Sequence, residues 1–408
     1  MGLKHTTDVS ITSAIFCLKI TGIWFAVNRT EGCFRNSVVI YSLVSIIFTI
    51  WLQFRGLYFC WEDPTISTSI ACSIVGLFMS LFKLFLVLIQ KKKFFKLIRF
   101  MQMNFWHSNY NIDEEQILTD VKTKCIFFVC FFSFFSEVSL LCLILKPAII
   151  NIGRNASERV LIFPMWLDEP WNDTPYFEIE YVVQTFTLFQ SVMSYLCFDN
   201  ILCIMCLHVS GQFRILQYRM ANIHKATNAH QDIKDPNQNM LYLSDVCLAT
   251  LKDCIRQHQA LIEFCKLMDE VFRVIMLLQV LIFSILVCLV GYQLFLVTLN
   301  LSMRILFSSL LVSNMLQLWM FTYSCATITQ ESVGVTLAVY ASPWTDVSMD
   351  KFGKMLRKDL QLVIMMSSRA CHVTAFRFFP ISLETYTKII TTSMSYFTLL
   401  RQSTMNDA

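Results

Sequence analysis

Apolar residues in this chain run in stretches of about 20 between charged residues, the length of helix that crosses a hydrocarbon core of about 30 Å. Seven such stretches stand out. The first lies between Arg35 and Arg55, the second runs from Pro64 to Gln90 with Lys83 near its end, and the third runs from Cys125 to Leu145 with Glu137 inside it. The fourth starts near Tyr181 and passes Asp199, the fifth fills the uncharged run between Arg273 and Arg304, and the sixth fills the run between Arg304 and Glu331. The seventh, Ile381 to Leu400, is the least apolar because it carries Glu384 and Lys388. The pattern predicts an all-α membrane protein, a single seven-helix domain over residues 1–408. Ahead of the first span, Ile11 to Val27 is interrupted by Lys19 and followed by no small-residue cleavage site, which reads as an interfacial helix.

Between the spans the pattern changes. Thr227 to Asn239 is a polar break containing Pro236; from Leu241 the apolar positions Val246, Leu251, Ile255, Leu261 and Phe264 keep helical spacing and run into span five without Pro or Gly. This predicts a helical extension over residues 241–270 on the cytoplasmic side. A second amphipathic extension is expected over 350–370, capped by Ser348. Its apolar side carries Phe352, Met355, Leu356, Val363 and Ile364; its basic Lys351, Lys354, Arg357 and Lys358 suit phospholipid headgroups, another subunit or plain solvent.

Orientation follows from the basic residues, because short loops rich in Lys and Arg stay in the cytoplasm. Most of the 33 Lys and Arg fall in the N-terminal segment and in the loops after spans two, four and six. The N-terminus is therefore expected inside and, after seven spans, the C-terminus outside. The sequons at Asn155, Asn172 and Asn300 then lie on the glycosylated side, with Asn155 and Asn172 the expected acceptors; Asn28 falls on the other side and reads as a chance match.

Composition agrees with this class. Hydrophobic residues make up 55% of the chain and charged residues 15%, and mean hydropathy is +0.55, whereas soluble domains carry about 25% charge. A net charge of +4, interrupted by apolar runs, gives no reason to expect a nucleic-acid partner. Most of the 16 cysteines sit inside apolar runs as small hydrophobes and imply no disulfide framework. Gly-rich phosphate loops, nucleophile elbows and zinc-protease motifs are missing from the sequence, so neither an enzyme nor a metal or other cofactor is expected, and His258 reads as a packed residue.

Charges inside spans are expensive in hydrocarbon and point to function or pairing. For Glu137 and Asp199, pairing with another helix and contact with a ligand or ion both remain open. Arg55 and Lys83 lie near span ends and are expected to snorkel.

Particular stretches resemble insect odorant receptors. Phe163-Pro164-Met165-Trp166, Pro170 and Pro175-Tyr176 through Tyr181 and Gln184 look like that family's long extracellular loop. Asp199, Leu207-His208, Gln212-Phe213 and Leu216 fit its fourth span, and Cys254-Ile255, His258 and Phe272 fit the approach to its fifth. The most specific block is C-terminal: Ala338 to Trp344, Met365-Met366, Phe379 through Tyr386, and Ser393 to Leu400. The resemblance implies a subunit of a hetero-tetrameric, odorant-gated, non-selective cation channel that includes a shared co-receptor, in the plasma membrane of olfactory sensory neurons. The co-receptor resembles a longer chain ending in Thr-Tyr where this one has Ser395-Tyr396, so this chain looks like a tuning subunit, which supplies specificity for a small volatile ligand. A gustatory receptor channel of the same superfamily and a G-protein-coupled receptor are the alternatives.

In this topology the outer thirds of spans two, three, four and six bring together Ile74, Phe78, Ser139, Phe186, Phe189, Met193 and Phe307, a mostly apolar set suited to a volatile ligand and equally to ordinary helix packing. In the last helix, 381–402, Lys388, Thr392, Ser395, Leu399 and Gln402 recur on one face, which is expected to line water. By the resemblance the gate lies at the end of this helix, with Leu399 in a hydrophobic constriction and Gln402 just outside it.

Overall fold

The computed structural model describes residues 9–24, 28–105, 110–155, 158–163, 173–223, 236–296, 299–342 and 351–406. They form α1 (Val9–Ile20), α2 (Arg29–Phe59), α3 (Pro64–Ile89), α4 (Lys91–Asn104), α5 (Ile112–Ile150), α6 (Tyr176–Ala221), α7 (Pro236–Leu296), α8 (Leu301–Ala341), α9 (Lys351–Ser367) and α10 (Leu383–Asn406), with β1 (Thr374–Ala375) and β2 (Phe379–Pro380) paired antiparallel before the last helix. Six of these helices, α2, α3, α5, α6, α7 and α8, contain windows long and apolar enough to cross a membrane. The seventh expected span coincides with α10, whose Glu384, Lys388 and run of Thr and Ser lower its hydropathy.

Helix starts are chemically marked. The Asp63 carboxylate accepts from the amides of Thr65 and Ile66 at 2.9 and 3.3 Å, and Pro64 takes the first turn of α3, where no amide proton is needed. At α5 the Asn111 amide donates to Glu114 Oε2 at 3.2 Å. α7 continues for 61 residues through the expected extension into span five.

α6 is the axis of the bundle. Every residue from Leu196 to Phe213 is buried, including Asp199, Asn200, His208 and Gln212, as a helix enclosed on all sides requires. α1, α3, α5, α7 and α8 pack around it. Phe198, Phe213, Phe264, Phe272, Phe283 and Phe321 fill the main core.

α1 joins this core through Ile11, Ala14 and Leu18. The chain then reverses at Gly22, whose φ is +77°; a Cβ there would sit 2.6 Å from the Arg35 carbonyl oxygen and 2.9 Å from Val39, so glycine alone fits. Toward the other end of α6, the Arg219 guanidinium grips buried Glu114 at 2.6 and 3.0 Å and also reaches Gln257 at 2.9 Å, tying α5, α6 and α7 together. Tyr110 completes the cluster: its phenol, whose pKa burial pushes up, stays protonated, donates to the Phe105 carbonyl and accepts from Gln212.

The β hairpin fastens the approach to α10. Asp269 of α7 accepts from the Thr374 amide and hydroxyl at 2.8 and 2.7 Å, and the Phe376 amide donates to the Arg273 carbonyl at 3.0 Å.

Candidate ligand pocket and last helix

A cavity of about 210 Å³ lies inside the bundle between α3, α5, α6 and α8, with Leu286 and Val290 of α7 closing one side. α3 turns Ser69, Ser73, Gly76 and Ser80 toward it, a stripe of small residues at successive turns. α5 contributes Ser136, Ser139 and Leu140; α8 contributes Phe307, Ser313 and Asn314. Phe163 and Leu188 add apolar wall. An apolar cavity of about 150 Å³ admits benzene, so this one takes a molecule about the size of a substituted benzene or a medium aliphatic chain.

Tyr195 and Gln317 also line the cavity, and beyond them lies a buried charge cluster. Lys83 Nζ stands 2.7 Å from Asp199 Oδ1, and both side chains are almost fully buried. Gln279 of α7 donates to both Asp199 oxygens at 3.2 Å, and Gln317 of α8 donates to Oδ2. The Tyr195 ring faces the ammonium, 3.8 Å from Nζ to its centroid. Four helices thus meet at one carboxylate. This corrects the expectation for Lys83: its side chain turns inward to Asp199 instead of snorkelling, because the attraction of a buried counter-ion replaces what hydration would supply. Asp199 is paired within the chain. Glu137 stands exposed on the outer face of α5, between exposed Phe134 and Leu141. Arg55 is half-buried over the rings of Trp51 and Phe59.

α10 buries Thr385, Ile389 and Ser393 against its own subunit and leaves Thr392, Ser395, Leu399 and Gln402 exposed. Its contact with α7 runs through Cys288, which donates to the Ser393 carbonyl at 3.9 Å, and through the rings of Phe295 and Phe397, 5.3 Å apart. Lys388 pairs with Glu384 at 2.6 Å across one turn.

The 7tm odorant receptor family model matches residues 63–394, which takes in the cavity, the charge cluster and the first half of the last helix. The chain belongs to that family. Among the receptor's relatives, odorant receptor 13a of Drosophila melanogaster is 23% identical over 414 residues, covering 96% of this chain and 94% of its own. Odorant receptor Or2 of Anopheles gambiae is 25% identical over 233 residues, covering 56% and 57%. The fold is similar to that of the olfactory receptor OR5 from Machilis hrabei, with a TM-score of 0.80 at 14% identity over 96% of this chain and 97% of that one; the same protein solved in complex with eugenol also gives 0.80. The receptor is a multi-pass membrane protein.

Of the residues expected at the ligand site, Ser139 and Phe307 line the receptor's cavity, and Ile74, Phe78, Phe186, Phe189 and Met193 do not. Ile74 is buried and Phe189 packs beside the cluster around Leu77, Leu140 and Leu188. Met193 is half-buried; Phe78 is 46% exposed, and Phe186, 48% exposed, leans on Tyr41. Residues the sequence reading passed over are Ser69, Ser73, Gly76 and Ser80, Tyr195, Asn314 and Gln317. The α3 stripe had a readable signal: four small residues recurring every three or four positions in an otherwise bulky apolar run.

Asn155 is exposed in the segment after α5, and Asn172 lies outside the described residues. None of the 16 cysteines is in a disulfide, and Cys125, Cys197, Cys203, Cys206 and Cys325 are buried in the bundle.

Proposed function

We propose that this receptor is the tuning subunit of a hetero-tetrameric, odorant-gated, non-selective cation channel, assembled with a co-receptor subunit in the plasma membrane of olfactory sensory neurons. The observation that carries the reading is the cavity itself: a mostly apolar space inside a seven-helix bundle, of a size to hold one small volatile molecule. The Machilis hrabei receptor, which shares the fold and has been solved with eugenol, supports it. In this reading the N-terminus is cytoplasmic, the segments 241–270 and 350–370 extend into the cytoplasm, and the C-terminus is outside. The Lys and Arg bias and exposed Asn155 support that orientation. The outward face of α10, free of its own bundle, lines the shared pore, with Leu399 at the constriction and Gln402 beside it.

Currents recorded from cells coexpressing this chain and a co-receptor, across a chemically varied odorant panel, test the reading. Odorant-evoked cation current that needs both chains is the expected result. A response through G proteins with no current of its own, or the absence of any response from surface-expressed protein, rejects it. Replacing Asn155 and Asn172 with Gln should each remove a glycan shift; a glycan at Asn28 alone would reverse the orientation.

A further inference from the structure

Just before α10 the chain reverses through a strained turn. Between β1 and β2 the Phe378 amide donates to the Ala375 carbonyl at 2.9 Å, and the two residues between them, Phe376 and Arg377, have φ of +49° and +66°. Two-residue hairpin turns with this backbone are ordinarily built from Asn-Gly or Asp-Gly, because a Cβ is strained in the left-handed region. Strain that persists under two large side chains points to a role for those side chains. From Phe376 to Pro380 every residue is exposed, Phe378 by 73%, and the Phe376 and Phe378 rings lie 5.9 Å apart.

Two helices mark the level of this tip along the bundle. The Phe376 amide donates to the Arg273 carbonyl at 3.0 Å, and Arg273 is the last charged residue of α7 before the uncharged run that ends at Arg304. One turn of the same helix also holds Glu270, 3.4 Å from Lys93, and Phe272, whose ring lies 6.3 Å from that of Phe94. Basic Lys91, Lys92 and Lys93, where the apolar run of α3 ends, therefore stand at the same height. Both helices change from apolar to charged at the level of the hairpin, which is thus the edge of the hydrocarbon. Aromatic rings beside basic groups suit that edge.

Charge agrees with this placing. Between Asp359 and Glu384 the chain carries Arg369 and Arg377 and no acidic residue. The carboxylates on the adjoining turn of α7, Asp269 and Glu270, are taken up by Thr374 and Lys93. The Arg273 guanidinium stands over the Phe376 ring at 5.8 Å, and its buried Nε has no hydrogen-bond partner among the described residues.

We propose that the hairpin tip is a binding site for an anionic phospholipid, with Phe376 and Phe378 seated among the lipids and Arg377 and Arg273 facing the headgroup phosphate. The proposal rests on the orientation given above, in which this edge faces the cytoplasmic leaflet, where anionic lipids concentrate. The Ile381 amide returns to the Val373 carbonyl at 2.9 Å, two residues before α10 begins, so the bound lipid holds the foot of the last helix.

Two experiments test it. In the first, the full chain carries the photoreactive residue p-benzoylphenylalanine in place of Phe378 and is irradiated in cell membranes together with a co-receptor. A phospholipid adduct on this chain is the expected product; a crosslink to a neighbouring subunit, or no adduct, overturns the proposal. In the second, the purified full chain is unfolded thermally in nanodiscs in which phosphatidylserine progressively replaces phosphatidylcholine. Phosphatidylserine should raise the wild-type midpoint. Arg377→Gln should need about fivefold more of it for the same rise, and Arg377→Lys should behave as wild type. Phe376→Asn combined with Arg377→Gly gives the turn its preferred sequence; it should be at least as stable as wild type in phosphatidylcholine alone and gain less from phosphatidylserine. Equal gains in wild type and Arg377→Gln, or no gain in wild type, overturn the proposal even if the turn variant does not fold. Nanodiscs hold the same lipids in both leaflets, so this result does not depend on orientation, which the glycans at Asn155 and Asn172 decide separately.

Discussion

Lys83 on α3 and Asp199 on α6, 116 positions apart in sequence, form an ion pair at 2.7 Å in the middle of the bundle, and the further hydrogen bonds to the carboxylate come from α7 and α8. The pair shares Gln317 with the ligand cavity. A charge in such a place is held only while its partner is present, since removing one member of a buried pair leaves the other uncompensated at a cost of about 3–5 kcal/mol.

Lys83→Met and Asp199→Asn should therefore each lower the midpoint of thermal unfolding and the fraction of receptor reaching the surface. The double variant should recover part of the loss, because two neutral groups no longer carry a charge in a dry site. Surface biotinylation and thermal unfolding of the purified variants check this; single variants as stable as wild type would mean that the pair is not holding the four helices together.

Gly76 faces the cavity, and a Cβ built there meets nothing within 4 Å. Gly76→Ala should fold at least as well as wild type, since alanine in a helix is favoured by about 1 kcal/mol over glycine. It should also reduce the usable volume. Dose–response curves across a size-graded odorant series should shift toward smaller members, with the largest losing about tenfold or more in potency and maximal current from the smallest preserved.

At Gly22 the opposite outcome is expected. The left-handed backbone and the Arg35 carbonyl 2.6 Å from a notional Cβ leave no room for a side chain. Gly22→Ala should cost about 1–2 kcal/mol in backbone strain alone and loosen α1 from α6. Faster proteolysis at the N-terminus of the purified variant is the measurement; unchanged protection would place the anchoring elsewhere.

On α10, Leu399→Ser should raise current in the absence of odorant by wetting a hydrophobic constriction, and Gln402→Glu should alter the relative permeability of sodium, potassium and calcium. Surface-expressed channels with neither change would show that this face packs against a neighbouring helix.

The helical framework was legible because each span needs its own uninterrupted apolar run, and that requirement is local. The azimuth of a side chain is not local. Phe78 and Phe186 stand at the right depth but are turned out of the cavity, while Ser139 and Phe307 at similar depth line it. Which way a helix is rotated depends on all its neighbours at once. Lys83 was misread for the same reason: its position near a span end is readable, but the direction of its side chain is set by Asp199, which no spacing rule connects to it. On α10 the expected face Thr392, Ser395, Leu399 and Gln402 is exposed as its period implies, but Met394 and Tyr396 are exposed beside it and polar Thr385 and Ser393 are buried, so polarity alone does not mark the packed side.

The unbroken course of α7 has a mechanical consequence. At 1.5 Å per residue its 61 residues measure about 90 Å, roughly three times the thickness of the hydrocarbon core. Gln279, on the buried Asp199 carboxylate, Leu286 and Val290, in the cavity wall, and Cys288 and Phe295, against the last helix, lie along one helix with the residues that bind Arg219 and the β hairpin. A tilt of about 5° pivoting near Gln279 swings the far tip, some 60 Å away along the axis, by about 5 Å. A tilt small at the cavity wall would thus become a stroke as large as a helical turn at the opposite end.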